Sequence, residues 1–141
     1  MSTENNNTLY EKSIKILTDL ISFKTISGED NTKLIDYCDN ILNDIGATSF
    51  RTYDSEKKRV NLFSTIKSKK TQNKIPIILS GHTDVVPVSP GWSTDPFKAT
   101  IKEDKLYGRG ACDMKGFIAC ALAFAPIFSK SNLDRDIHFS F

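Results

Sequence analysis

Ile75-Pro76-Ile77-Ile78-Leu79-Ser80-Gly81-His82-Thr83-Asp84 is the stretch that decides how this chain folds. The unbroken apolar run at its start reads as a strand buried on both faces. At the carboxyl end of that strand the sequence presents an imidazole, His82, and two residues later a carboxylate, Asp84. In open α/β sheets ligands bind at the carboxyl ends of strands. A second block, Tyr107-Gly108-Arg109-Gly110-Ala111-Cys112-Asp113-Met114-Lys115-Gly116, places another carboxylate, Asp113, just before a long apolar segment.

Working outward, the elements around these blocks alternate in type. A helix is predicted from Thr8, where Thr8-Leu9-Tyr10-Glu11 fits a capping box, with Tyr10, Ile14, Leu17 and Ile21 on one face. A second helix follows the polar turn 27–31, lined by Leu34, Cys38, Ile41 and Ile45 and closed by Gly46. Both stripes read as core. Residues 47–53 and 59–66 alternate as strands, and 97–101 with 105–107 reads as a short hairpin turning at Glu103-Asp104. A third helix is expected from about Lys115 to Phe128, apolar nearly all round and therefore buried, with Pro126 ending or kinking it. Ile137 to Phe141 begins another strand. Strand 75–80, the third helix and strand 137–141 make a βαβ-type unit. The expected fold is α/β, a mixed sheet with helices on both faces. Because Phe141 falls inside an apolar strand, the chain reads as the N-terminal piece of something longer.

Composition narrows the function classes. The chain has 141 residues, enough to bury a core in one domain. With 19 Lys+Arg against 17 Asp+Glu the net charge is +2, too small to imply a polyanionic partner. The lysines between 57 and 74 flank a strand turn and read as a solvated hairpin tip, not a nucleic-acid surface. No run of about 18 apolar residues is evident, so no membrane span is expected. The polar start, Met1 to Thr8, lacks the regions of a signal peptide, which makes the cytoplasm the expected location. Cys38, Cys112 and Cys120 form no CxxC pair and read as free, buried or partly buried thiols.

The chemistry sits in three side chains. A neutral imidazole is a good ligand for zinc or cobalt, and metal-bound histidines give their other ring N–H to a carboxylate. In an extended chain Asp84 lies on the same side as His82. Taken alone, His-x-Asp also fits a hydrogen-bonded structural histidine. Asp113 has two readings as well: an N-cap carboxylate for the third helix, or a carboxylate whose two oxygens bridge two cations. One His and one Asp are too few ligands for a complete site.

Four ordered blocks carry a resemblance: Ser80 to Pro87, Trp92-Ser93-Thr94-Asp95-Pro96-Phe97, Lys105 to Gly110, and Asp113-Met114-Lys115-Gly116-Phe117. Together they resemble the M20 metallopeptidase/deacylase family, and look most like its acetylornithine deacetylase branch; weaker similarity extends back to the first helix. The resemblance implies a zinc-exopeptidase-like catalytic domain in which His82 binds one metal ion, Asp113 bridges two, and Asp84 orients His82. It implies a cis peptide between Asp113 and Met114, and loop-holding roles for Arg109 and Lys115. Trp92 and Phe97 read as loop anchors in the core. Family members continue into a Glu-Glu pair, the first being the general base, then a further acidic ligand, a lid and dimerisation domain and a distant His. None of these is in the 141 residues, and His138 replaces none of them. The implied reaction is hydrolysis of N-acetyl-L-ornithine to L-ornithine and acetate, in arginine biosynthesis. Succinyl-diaminopimelate desuccinylase, which shares two of the blocks, is the alternative, and a non-catalytic remnant or binding module is a third reading. The expected partners are a small N-acylated amino acid and a separate C-terminal half, with the family's homodimer contacts outside this chain.

Overall fold

The computed structural model describes residues 3–70 and 74–141. Three helices pack on a four-stranded sheet, and a two-stranded hairpin stands apart. Helix α1 is Thr3–Ser22 and α2 is Thr32–Asn43. Strands β1 (Thr48–Tyr53) and β2 (Val60–Ile66) form an antiparallel hairpin, with Phe50 opposite Phe63. Strand β3 is Ile77–Ser80, β4 (Thr100–Lys102) and β5 (Lys105–Tyr107) make the separate hairpin, α3 is Gly116–Lys130, and β6 is Ile137–Ser140. The order in the main sheet is β1-β2-β6-β3. β6 runs antiparallel to β2 and parallel to β3, so the sheet is mixed. The β3–α3–β6 connection is the expected βαβ unit.

Strand alternation divides the sheet into two unlike faces. Val60, Leu62, Ile66, Ile137, Phe139 and Phe141 point into one core with Leu20 of α1, Leu34 and Leu42 of α2, and Ile118 and Leu122 of α3. Fully burying one such side chain contributes roughly 1.5–3 kcal/mol, so this shared core holds the layers together. Among the described residues the helices gather on this face. The opposite face carries Phe50, Phe63 and Ile78, all exposed.

Several expectations are corrected. Helix α1 extends back to Thr3, so Thr8 lies inside it and cannot be its N-cap. Tyr10 points to solvent, because the buried stripe runs through Ile16 and Leu20, with Leu9 and Leu17 partly covered. Strand β3 is not buried on both faces. Among the described residues it is an edge strand paired only with β6, and Ile77 and Ile78 are 47% and 55% exposed. Helix α3 is not buried all round, since Phe117, Cys120, Phe124 and Ile127 form an exposed stripe. Pro126 neither ends nor breaks α3, which continues to Lys130. Its neighbours Leu122 and Ala125 are fully buried, and that packing offsets the one backbone bond proline removes.

Residues 111–130 are apolar enough over 20 residues for a membrane span by length and composition, contrary to expectation. The backbone at Asp113 and Met114 is non-helical, however, so the continuous helix is the 15 residues of α3. At 1.5 Å per residue it is about 22 Å long, short of the ~30 Å hydrocarbon layer. Its buried side chains belong to the shared core.

Other expectations hold. Gly46 takes a left-handed φ of 79° just beyond α2, and Glu103 and Asp104 make the β4–β5 turn with φ of 52° and 57°. The three cysteines are free, and Cys38 is buried as expected; Cys112 and Cys120 are exposed, a correction that follows from their places on the turn before α3 and on its outward stripe. Burial pushes the Cys38 thiol up to about 12.

Candidate active site

His82 leaves the carboxyl end of β3 and is held at both ring nitrogens. Its Nδ1 lies 3.1 Å from the backbone carbonyl of Asp84 and 3.3 Å from the Asp84 carboxylate. A carbonyl only accepts, so Nδ1 carries the hydrogen. In the neutral ring Nε2 is then an acceptor, yet it faces another acceptor, Asp113 Oδ1, at 3.0 Å. Two acceptors at that distance call for a cation between or beside them. A proton is one answer, and the hydrogen bond to Asp113 raises the His82 pKa above the usual 6.5, against a smaller opposing effect of burial. A metal ion is the other.

The donor set fits a metal in part. Two ligands at about 2.0–2.1 Å from one tetrahedral ion sit about 3.3 Å apart, close to the observed separation. Asp84 behind Nδ1 is the carboxylate–histidine arrangement that fixes ring and tautomer. Asp113 does not cap α3: its carboxylate is 85% exposed and turned to His82. The N-cap reading is thereby corrected. Among the described residues no group of three or more His, Cys, Asp or Glu side chains gathers as a ligand cluster. The three predicted residues, His82, Asp84 and Asp113, do come together.

What places them begins in the loop 25–31. Ile26 and Val85 form a parallel bridge, with Ser27 N–H donating to Val85 O (2.9 Å) and Val85 N–H to Thr25 O (2.8 Å). The Ser27 hydroxyl donates to Asp84 Oδ2 at 2.5 Å. Asn31 accepts from Val60 N–H (2.8 Å) and donates to Val60 O (2.9 Å), tying this loop to the start of β2. Sequence reading passed over Ser27 and Asn31, because nothing local distinguishes them from ordinary turn residues.

The Asp113 side is set by Gly110 and Lys115. Gly110 has φ 82°, and a Cβ there would meet Val85 Cγ1 at 2.6 Å, so only glycine fits. The Asp113–Met114 peptide is cis. Lys115 is fully buried, and its ammonium donates to Leu20 O (2.9 Å) and Phe23 O (2.8 Å) at the end of α1. It therefore fastens the site segment to α1, a helix-end role a cation suits. Burial lowers its pKa to about 8. Arg109 lies over the Trp92 ring at 5.2 Å, and Lys24 over Phe97 at 5.5 Å. Trp92 and Phe97 are half-buried under these cations, outside the core cluster, which corrects their expected core positions. His138 sits on the bare sheet face, bonded to Thr65 Oγ1 at 2.9 Å.

A shallow cavity of about 260 Å³ lined by Ser27, His82, Asp84, Arg109 and Asp113 opens over the pair. A second, of about 440 Å³, adjoins it at the carboxyl ends of β3 and β6 and includes Asn31, Gly81 and Ser140. Small substrates have room there, in the position that α/β topology favours.

Comparison with known proteins gives concordant matches. Residues 78–141 match Peptidase family M20/M25/M40. The chain is 40% identical over 109 residues to acetylornithine deacetylase of Myxococcus xanthus, covering 75% of this chain and 28% of that protein. It is 39% identical over 130 residues to succinyl-diaminopimelate desuccinylase of Rickettsia akari, covering 84% and 32%. An M20 family metallo-carboxypeptidase from Sulfolobus solfataricus superposes with TM-score 0.74 at 26% identity, over 92% of this chain and 30% of that one. Human carnosine dipeptidase 1 shares the fold with TM-score 0.76 at 22% identity, over 97% and 32%. The chain thus spans about a third of the length of the relatives it matches.

Proposed function

From the premise that the chain belongs to peptidase family M20/M25/M40, we propose that it supplies the His82–Asp113 part of the active site of a metal-dependent hydrolase of N-acylated amino acids. The observation that carries this reading is the opposed acceptor pair, His82 Nε2 and Asp113 Oδ1, 3.0 Å apart with Asp84 behind the ring. Zinc or cobalt held by His82 and Asp113 would supply Lewis acidity toward the acyl carbonyl. The remaining work falls to this chain's own groups. Asp84 keeps the proton on Nδ1 and so keeps Nε2 free as a donor atom. Ser27 holds Asp84. The Gly110 turn and Lys115 fix the backbone from which Asp113 projects.

The substrate class we propose is an N-acyl diamino acid, N-acetyl-L-ornithine first and an N-succinyl diaminopimelate second. Support comes from the two groups of relatives, matched at 40% and 39% identity. The domain assignment we propose is that residues 1–141 form part of a metallohydrolase catalytic domain, working in the cytoplasm. Because only two ligands converge among the described residues, hydrolysis belongs to an assembled site and not to this chain by itself.

The test is to complete the chain with the remaining sequence of the Myxococcus xanthus relative and assay both substrates with zinc or cobalt. Release of acetate from N-acetyl-L-ornithine, lost on His82→Ala, is the expected result. An assembled, metal-loaded protein that cleaves neither substrate would overturn the proposal.

A further inference from the structure

The two segments that carry the opposed pair also meet at the main chain. The His82 backbone N–H donates to Sδ of Met114 across 3.3 Å. Among the described residues no oxygen accepts this amide, whereas the Gly81 N–H, one residue earlier, donates to Ser140 O at 2.9 Å. The chain thus leaves the sheet ladder at the residue that enters the site, and a thioether becomes the partner of the next amide. Thioether sulfur is a weak, polarisable acceptor on a flexible side chain, suited to a gap that no carbonyl reaches.

The fit is steric as well as polar. A Cβ on Gly81 would meet Met114 Cε at 3.1 Å, Ile118 Cγ1 at 3.2 Å and Phe117 Cδ1 at 3.3 Å. Gly81 is not one of the glycines with left-handed φ, so what glycine supplies here is space. That space lets the start of α3 close on the end of β3 and seats the half-buried Met114 against it. Two successive side chains then hold one residue at two points. Asp113 faces the His82 ring, and Met114 holds the His82 main chain. Ser27 and Asp84 act on the other side of the same ring.

We propose that Met114 is a positioning residue for the metal-binding pair: its sulfur fixes the main chain of His82, so that Nε2 and the Asp113 carboxylate stay within one ion's reach of each other. This rests on the family reading above and gives it a residue to which sequence and resemblance assign no role. The contact requires the acceptor as well as the volume of the side chain. An exchange that keeps the volume and removes the acceptor should therefore keep the fold and loosen the pair.

Met1 and Met114 are the two methionines of the chain, so methionine labelling reads this position with one other signal. The experiment follows the metal-free chain by NMR and hydrogen exchange, then titrates it with zinc. A nuclear Overhauser contact from the Met114 methyl to the Gly81 α hydrogens and a protected His82 amide are expected. Met114→Leu conserves volume and should leave the chain folded. It should speed exchange of the His82 amide about fivefold, the size of one ordinary hydrogen bond, with the Gly81 amide unchanged. It should also weaken zinc binding about tenfold, the lower end of the range for groups that orient a metal ligand. Selenomethionine keeps the side chain's shape and changes the acceptor atom. It should move the His82 amide proton resonance and leave that of Gly81 in place, which reads the contact even where Met114→Leu unfolds the chain. A His82 amide indifferent to either exchange in folded protein would overturn the proposal, as would undiminished zinc affinity in folded Met114→Leu. A His82 amide that responds to both exchanges in a chain that binds no zinc would leave the contact standing and remove the metal reading. Zinc binding at His82 with an indifferent amide would do the reverse.

Discussion

The Ser27 hydroxyl donates to Asp84 across 2.5 Å, and Asp84 in turn holds the Nδ1 side of His82. Three residues from two distant segments thus form one line ending at the nitrogen that faces Asp113. Removing the hydroxyl frees the carboxylate to rotate away. Groups that orient a metal-binding histidine are worth about 10–100-fold in metal affinity. Ser27→Ala should lose about that much in a zinc competition titration of the assembled protein, and Ser27→Thr should recover it. Equal affinity in Ser27→Ala would show that Asp84 needs no support.

His82 has its pKa raised, first by the hydrogen bond to Asp113. A raised pKa means the charged ring favours the folded state. That stability is fully present below the unfolded value near 6.5 and is lost as pH rises through the folded value. In metal-free protein the imidazole resonances of His82 should therefore titrate with a midpoint above 6.5. Asp113→Asn should bring the midpoint down, whereas a midpoint unmoved by Asp113→Asn would separate the two side chains in solution.

Lys115 is buried on the carbonyls that end α1, with its pKa lowered to about 8. Between about 8 and the usual 10.5 the unfolded chain binds the proton and the folded chain does not, so this residue makes stability rise with pH across that window. Lys115→Met should remove that rise. It should also cost about 2–4 kcal/mol, by leaving two buried carbonyls without a donor. Urea denaturation at several pH values reads both effects.

Gly110→Ala places a methyl group 2.6 Å from Val85 Cγ1 at a φ of 82°. Backbone strain of this kind costs about 1–3 kcal/mol, before any clash is counted. Thermal unfolding should show that loss. In zinc titrations of the variant, the His82 response should weaken as Asp113 is displaced.

Much of this architecture was legible in the sequence for identifiable reasons. His82, Asp84 and Asp113 stand in glycine-punctuated blocks whose order and spacing are informative, and the structure brings them together. The β1–β2 and β4–β5 hairpins follow from alternation and turn residues. The apolar run 75–79 misled because periodicity reports apolar content and says nothing of how many neighbours a strand has; Ile75 is 83% exposed. The same ambiguity made α3 look buried all round. Tyr10 fits the helical spacing as well as Leu9 does, and only packing chooses between them. Ser27, Asn31 and the α1 contact of Lys115 depend on partners 29 to 95 residues away, a distance no local pattern encodes.

In the proposed site His82 and Asp113 face one metal ion. A zinc titration of this chain, followed through the imidazole nitrogens of both histidines, tests it most directly. Weak binding is expected, in which Nε2 of His82 shifts, Nδ1 keeps its hydrogen, Asp113→Asn suppresses the response, and His138, held by Thr65, does not move. A His82 ring unmoved by millimolar zinc, or a response confined to His138, would contradict it.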